Sequence, residues 1–285
     1  MPIYDLHSHW GTKRGYVLQS EKELALQRKT WNSEPSYVTE EEMAAHFRAR
    51  DMRVMLDFGF DKYLGIDKAA ELHDYGLETQ KKYPDVIIGN WFQIDPRLGA
   101  DGVRELRRCR DKATGYLGLA VSGSGAAPAS DPLWDPFYKL CVEAGIPALI
   151  VIGTTGLGAG TPGGGGILLE NCHPRHLDQV AARYPELTIV AARPAWPWQA
   201  DAIAIMLHKS NIWYELHGWS PKYFTPDLKY DISRRLKNRV MFGADYPLFS
   251  YERLISDWKA EGYSEDILDR VFTKNAEAFF ASLKR

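Results

Sequence analysis

Short apolar runs alternate with amphipathic stretches from one end of the chain to the other. The runs at Ile3–His7, Arg53–Phe58, Val86–Asp95, Tyr116–Ser122, Ala148–Thr154, Leu187–Arg193, Asn211–His217 and Val240–Asp245 have the length and Val/Ile/Leu content of buried strands. Between them lie stretches with helical spacing. Examples are Thr39–Asp51, where Thr39 and Glu42 make a capping-box pattern, and His176–Pro185. Strands that alternate with helices predict parallel pairing with crossover helices, and about eight such units close naturally into a barrel. An open doubly wound sheet is the rival architecture. It is disfavoured because no glycine-rich dinucleotide turn follows the first strand, which ends in histidines instead. The expectation is one (β/α)₈ barrel domain over residues 1–285.

Two stretches interrupt the rhythm. Residues 10–38 form a long insertion after the first strand, and Gly153–Gly166 (GTTGLGAGTPGGGG) a glycine-rich loop after the fifth. Both fall at the carboxyl ends of strands, where barrels build lids and substrate contacts. The glycine run matches neither the phosphate-loop nor the dinucleotide spacing, so it reads as a mobile lid without direct ligand contact.

Chemistry in a barrel comes from strand carboxyl ends. His7 and His9 stand two apart on the first strand, and a period of two puts both imidazoles on one face, aimed into the mouth, where they suit a divalent metal. Asp5 continues the same period, as a third ligand, an orienter of an imidazole, or a carboxylate capping the strand. Asp245 follows the last apolar run in VMFGADYP, placed to ligate the same ion and to act as general base or acid toward water. Trp196, Trp198, Trp219 and Tyr223 are expected near the mouth, as a stacking surface for an unsaturated substrate or as packing. His46, His73 and His208 fall in helical stretches and read as surface or capping residues.

Charge narrows the partner class. With 35 Lys and Arg against 37 Asp and Glu, the net charge of −2 gives no drive toward nucleic acid or an anionic membrane, leaving a small-molecule substrate as the expected partner. Cys109, Cys141 and Cys172 form no CxxC and are odd in number, which suits a reducing compartment. The first residues carry no apolar leader and no run approaches the roughly 18 residues of a membrane span, so the expected location is the cytoplasm.

The segments DLHSHW, HPRHLDQVAARYPELTIVAARPAWPW, NIWYELHGWSPKYFTPDL and VMFGADYPLFSYERL resemble the amidohydrolase-related group that contains aminocarboxymuconate semialdehyde decarboxylase, the hydroxybenzoate decarboxylases and several ring-fission-product hydrolases. GWSPKYF, WPW and PGGGG are similar to 4-hydroxyphenyl-β-ketoacyl-CoA hydrolases within that group. The resemblance implies that His7 and His9 are metal ligands, Zn²⁺ being the expected ion, and that Asp245 is the last-strand ligand and catalytic acid/base. It also exposes departures. The family's strand-five histidine is replaced by Gly153 or Thr154, its strand-six histidine by Arg193, and its strand-seven serine by His217.

Arginine cannot ligate and repels a cation. Either His7, His9 and Asp245 hold an ion whose shell water completes, or the site works without metal around Arg193, which then binds a carboxylate or stabilises an oxyanion. His217 reads as a replacement ligand, an acid/base or a structural histidine, and His173 as the one other histidine near strand five. The expected activity is hydrolysis of a small carboxylated or β-keto substrate from aromatic degradation, CoA-linked in the subgroup. The alternatives are a metal-dependent non-oxidative decarboxylase and an inactive barrel retained for binding. Homo-oligomers are common in the family, and exposed aromatics would serve such an interface.

Overall fold

A computed structural model describes residues 1–16, 21–31, 38–58, 64–125 and 127–283, the side chains of residues 23, 27 and 31 excepted. Eight strands lie side by side in chain order: β1 (Ile3–Ser8), β2 (Met52–Phe58), β3 (Ile87–Gln93), β4 (Tyr116–Ser122), β5 (Ala148–Val151), β6 (Ile189–Ala192), β7 (Ile212–Glu215) and β8 (Val240–Met241). Every neighbouring pair is parallel. The ring is drawn together between its ends by backbone hydrogen bonds from Leu6 to Phe242, Asp245 to His7 and His9 to Tyr246, at 2.9, 2.8 and 2.7 Å. The expected barrel is therefore the fold.

Helices clothe its outside: α1 (Glu21–Trp31), α2 (Glu40–Arg48), α3 (Ile66–Lys82), α4 (Gly99–Lys112), α5 (Asp135–Ala144), α6 (Pro174–Arg183), α7 (Gln199–His208), α8 (Pro226–Ile232), α9 (Tyr251–Ala260) and α10 (Glu265–Asp269), with α11 (Asn275–Ser282) at the end of the chain. The capping box read from Thr39 and Glu42 is formed at the start of α2. The helix read from His176 begins earlier, because Pro174 takes its first turn and the His173 side chain caps it.

The core has two layers. Ala148, Ile150, Ile189 and Ala191 face outward to helix residues such as Leu106, Leu177 and Val180, while the alternate residues Leu149, Val151, Val190 and Ala192 face inward with Leu6, Met55 and Trp91. The inner set packs on Ala276, Phe279 and Phe280 of α11, so the amino-terminal end of the barrel is plugged. That leaves the carboxyl end for chemistry.

Strands β5 to β8 end one to four residues earlier than their apolar runs predict. The cause is backbone conformation. Gly153, Arg193 and Asp245 have φ of 83°, 76° and 59°, so the chain leaves the ladder just before the polar residues that the runs end on. No helix among the described residues is long and apolar enough to cross a membrane. Of the residue 10–38 insertion, 17–20 and 32–37 lie outside the described residues, and what is described includes α1. Its Thr30 hydroxyl reaches the carbonyl of Ala159 in the glycine-rich loop at 3.4 Å.

Candidate active site

His7, His9, Asp57, Arg193, Glu215, His217 and Asp245 converge at the carboxyl end of the strands, all but Arg193 buried. Asp5 is not with them. A register shift between Asp5 and Ser8 breaks the alternation that would place it on the face of His7. Its carboxylate accepts from the backbone of His7 and Ala244 at 3.1 and 3.0 Å and from the hydroxyls of Ser8 and Tyr251 at 2.5 and 2.7 Å. Those four donors occupy both oxygens, so of the readings open for Asp5 the structure selects a structural one: it staples the first strand to the last. Burial raises its pKa to about 6, and the four hydrogen bonds oppose that shift.

His9 is held from both sides. Its Nδ1 lies 2.9 Å from the carbonyl of Asp57, which can only accept, so Nδ1 carries a proton and Nε2 points at Asp245 Oδ1, 3.1 Å away. Burial pulls the His9 pKa down, but the hydrogen bond and charge of Asp245 and the charge of Asp57 outweigh it, and the net shift is upward. Burial pushes Asp245 up; the hydrogen bond and charge of His9, then the charges of His7 and Arg193, bring its carboxyl below the usual range. Asp245 is thus held ionised with φ at 59°, a backbone strain of order 1–2 kcal/mol for a non-glycine residue.

His7 stacks on His217, ring centroids 3.6 Å apart and nearly parallel. Burial, assisted by His9, lowers its pKa well below the ordinary value. Its Nδ1 is buried without a hydrogen-bond partner among the described residues. The donor atoms of His7, His9 and Asp245 lie within 4.8 Å of one another. A neutral imidazole, a second imidazole whose outer nitrogen is fixed by a carbonyl, an ionised carboxylate and one orphaned ring nitrogen together fit a divalent cation.

The strand-five and strand-six departures have a steric explanation. At Gly153 a Cβ would stand 2.6 Å from Ala195 Cα, so the β6 loop fills the space a side chain would need. Arg193 instead reaches across. Its Nη1 donates to the Thr154 carbonyl at 3.3 Å, its Nε to His217 Nε2 at 3.0 Å, and its backbone N–H to the Glu215 carbonyl at 2.9 Å. His217 has both nitrogens engaged, since Nδ1 lies 2.6 Å from Glu215 Oε2. Burial, then the neighbouring His7 and Arg193, hold its pKa well below the ordinary value. His173 spends its Nδ1 on capping α6 and packs its ring on Trp198.

Two site residues escape the sequence reading. Asp57 at the end of β2 lies 3.6 Å from His7 Nε2 and accepts from both sides of its carboxylate from Gln93 Nε2, at 3.2 and 3.1 Å. Burial raises it to about 7 against the charge of His9. Glu215, wholly buried at the end of β7, is pushed well above the carboxylate range by burial and by the charges of Asp5 and Asp245. Its spacing of two from His217, the same as His7 to His9, was the available signal. Of the aromatics, Trp196 is 47% exposed and pairs with half-buried Trp219 at 6.0 Å. Tyr223 is 59% exposed beside Lys222, and Trp198 sits against His173 instead.

The amidohydrolase family model matches residues 5–281, nearly the whole chain. The protein belongs to the amidohydrolase family. None of the proteins of curated function matches this amidohydrolase in sequence. Solved structures do match in fold. A dihydroxybenzoic acid decarboxylase from Polaromonas, with bound manganese and the inhibitor 2-nitroresorcinol, is 15% identical, with 98% of this chain and 97% of that one covered and a TM-score of 0.68. A 5-carboxyvanillate decarboxylase from Sphingomonas paucimobilis is 14% identical over 99% of each chain, TM-score 0.67. A probable 2-pyrone-4,6-dicarboxylic acid hydrolase from Acinetobacter baumannii, with citric acid bound, is 15% identical over 99% of this chain and 100% of that one, TM-score 0.64. The amidohydrolase thus shares its fold with proteins named as decarboxylases and with one named as a probable hydrolase.

Proposed function

We propose that this amidohydrolase hydrolyses a small carboxylated or β-keto compound of the kind formed in aromatic degradation. The observation that carries the reading is the meeting of Asp245 and Arg193 over Gly218. A Cβ built there would stand 3.1 Å from Asp245 Oδ2 and 4.0 Å from Arg193 Nε, so only a glycine lets the ionised carboxylate and the guanidinium stand together over this point of the backbone. A carbonyl compound that meets both groups has a base on one side and an anion-stabilising cation on the other.

Asp245 Oδ1 faces His9, which leaves Oδ2 to take a proton from water. The water oxygen bonds to the carbonyl carbon, the electron pair moves to the carbonyl oxygen, and Arg193 faces the resulting oxyanion. Collapse breaks the bond to the leaving group, which takes the proton back from Asp245. His9 keeps Asp245 ionised between turnovers. A divalent cation held by His7, His9 and Asp245 would supply Lewis acidity and a more acidic bound water. Trp196 and Trp219 offer an unsaturated substrate a stacking wall.

Decarboxylation on the same scaffold needs an acid that protonates the carbon losing CO₂, and the lowered pKa of Asp245 favours the base role instead. The two reactions separate in one assay. The protein is incubated in H₂¹⁸O with 2-pyrone-4,6-dicarboxylate, an aromatic β-ketoacyl thioester and dihydroxybenzoates. Hydrolysis puts ¹⁸O into a product carboxylate without gas release; CO₂ release without ¹⁸O in the remaining product overturns the proposal.

A further inference from the structure

We infer that Glu215 is a positioning residue that sets the orientation of Arg193 beside Asp245 by fixing the tautomer of His217, an inference that rests on the anion-stabilising reading of Arg193. A guanidinium donates and never accepts, so the 3.0 Å contact from Arg193 Nε obliges His217 Nε2 to be the bare nitrogen. The single ring proton then sits on Nδ1 and is donated to Glu215 Oε2 at 2.6 Å. Only one proton arrangement satisfies this chain. A side chain at 215 that could not accept would free Nδ1–H, let the proton move to Nε2, and set two N–H groups against each other where Arg193 is now held.

Three further observations bear on the same residue. The backbone carbonyl of Glu215 accepts from the backbone N–H of Arg193 at 2.9 Å, so one residue grips the arginine at the main chain and, through His217, at the side chain. The chain makes room for that carboxyl. At Gly243, in the adjoining stretch after β8, a Cβ would stand 1.8 Å from Glu215 Oε1. Finally, Oε1 is buried with no hydrogen-bond partner among the described residues, a penalty that packing alone would not select.

The consequence is directional. With Nε given to His217 and one Nη1 hydrogen to Thr154, the fork that Nε and Nη2 would make is closed to ligands, and the remaining Nη1 and Nη2 donors are what an anion can meet. Arg193 is thereby a receptor for one oxyanion or one carboxylate arriving end-on, with its angle set by β7.

The test reads the tautomer and the anion separately. ¹⁵N NMR of histidine-labelled protein is recorded for the parent, Glu215→Gln and Glu215→Leu, and malonate, a stable dianion, is titrated by calorimetry into each and into Arg193→Ala with and without Glu215→Leu. His217 is expected Nδ1-protonated in the parent and in Glu215→Gln, whose amide oxygen still accepts, and Nε2-protonated in Glu215→Leu. Malonate should weaken about tenfold or more in Glu215→Leu, be restored to within about threefold by Glu215→Gln, and weaken no further when Glu215→Leu is added to Arg193→Ala. An unchanged tautomer in Glu215→Leu, or losses that multiply in the double variant, overturns the inference. If Arg193→Ala binds malonate as tightly as the parent, the anion reading of Arg193 falls, while the tautomer still decides what Glu215 does. Glu215→Gln keeps the test open should Glu215→Leu fold poorly.

Discussion

Two clusters in this amidohydrolase combine buried histidines with buried carboxylates, and they are built in opposite ways. Between α3 and α4, His73 Nδ1 meets Glu105 Oε1 at 2.8 Å, and Arg108 donates to both oxygens of Glu105 at 2.6 and 2.7 Å. Cys109 adds a thiol donor at 3.3 Å, and His73 Nε2 takes the Gln93 carbonyl at 3.1 Å. Every polar atom there has a partner, and the acid has a cation of its own. At the barrel mouth His7 Nδ1 and Glu215 Oε1 go without one among the described residues, and two of the residues stand on left-handed backbone. The ligand types are alike, and both groups bring donor atoms close enough for a metal. Saturation separates them. A closed network contributes stability, whereas open valences and strain are retained where something else is to be bound.

Four substitutions bear on that contrast. The largest effect is expected at Asp245→Asn, which removes the proposed base and should cut kcat/KM about a thousandfold, near 4 kcal/mol of barrier, with the thermal midpoint little changed; turnover within about threefold of the parent refutes the assignment. Next comes the joint substitution His7→Ala, His9→Ala. Elemental analysis should find about one equivalent of divalent metal in the parent and none in the variant. A full equivalent retained in the variant would move the ion to other donors.

Glu105→Gln should act the other way round, leaving turnover near the parent's and destabilising the fold by about 2–3 kcal/mol, a fall of about 5 °C in Tm. Its pH signature has a defined sign. Burial raises the Glu105 pKa, but the hydrogen bonds of Arg108, His73 and Cys109 carry it below the usual range. A depressed acid contributes its stability in full above the unfolded pKa, about 4.3, and loses it as pH falls further toward the folded value. Thermal melts of the parent should therefore steepen in their decline below about pH 4, and Glu105→Gln should lack that part of the slope. The mildest effect is expected at Trp196→Ala, which removes one exposed ring of the pair with Trp219 and should raise KM severalfold at constant kcat.

How much of this was legible follows from the kind of signal each residue gives. Period and composition predict the eight strands because burial on both faces of a parallel sheet leaves continuous apolar runs. His7, His9, Arg193 and Asp245 stand out because they end such runs. Asp57 and Glu215 do not stand out, since each lies within or beside residues that read as strand interior, and only the inward phase of β2 and β7 brings them to the mouth. The sequence left three readings of Asp5 open for the converse reason: alternation holds only while register holds, and β1 slips between Asp5 and Ser8. The closed strand-five position was invisible because it depends on Ala195, more than 40 residues away in the chain, occupying the space beside Gly153.

The Asp5 staple ties residues that lie far apart along the chain. Its partners Ala244 and Tyr251 lie 239 and 246 positions downstream, and the pairing of His9 with Asp245 spans 236. Seven strands can therefore assemble in sequence, each on its neighbour, while the site remains in two halves. Base and imidazole meet at the same step that shuts the ring. Activity in this amidohydrolase thus depends on closure of the ring, and a circular permutant that joins residues 1 and 285 and opens a helix on the far side would bring both halves of the site into one continuous stretch of chain.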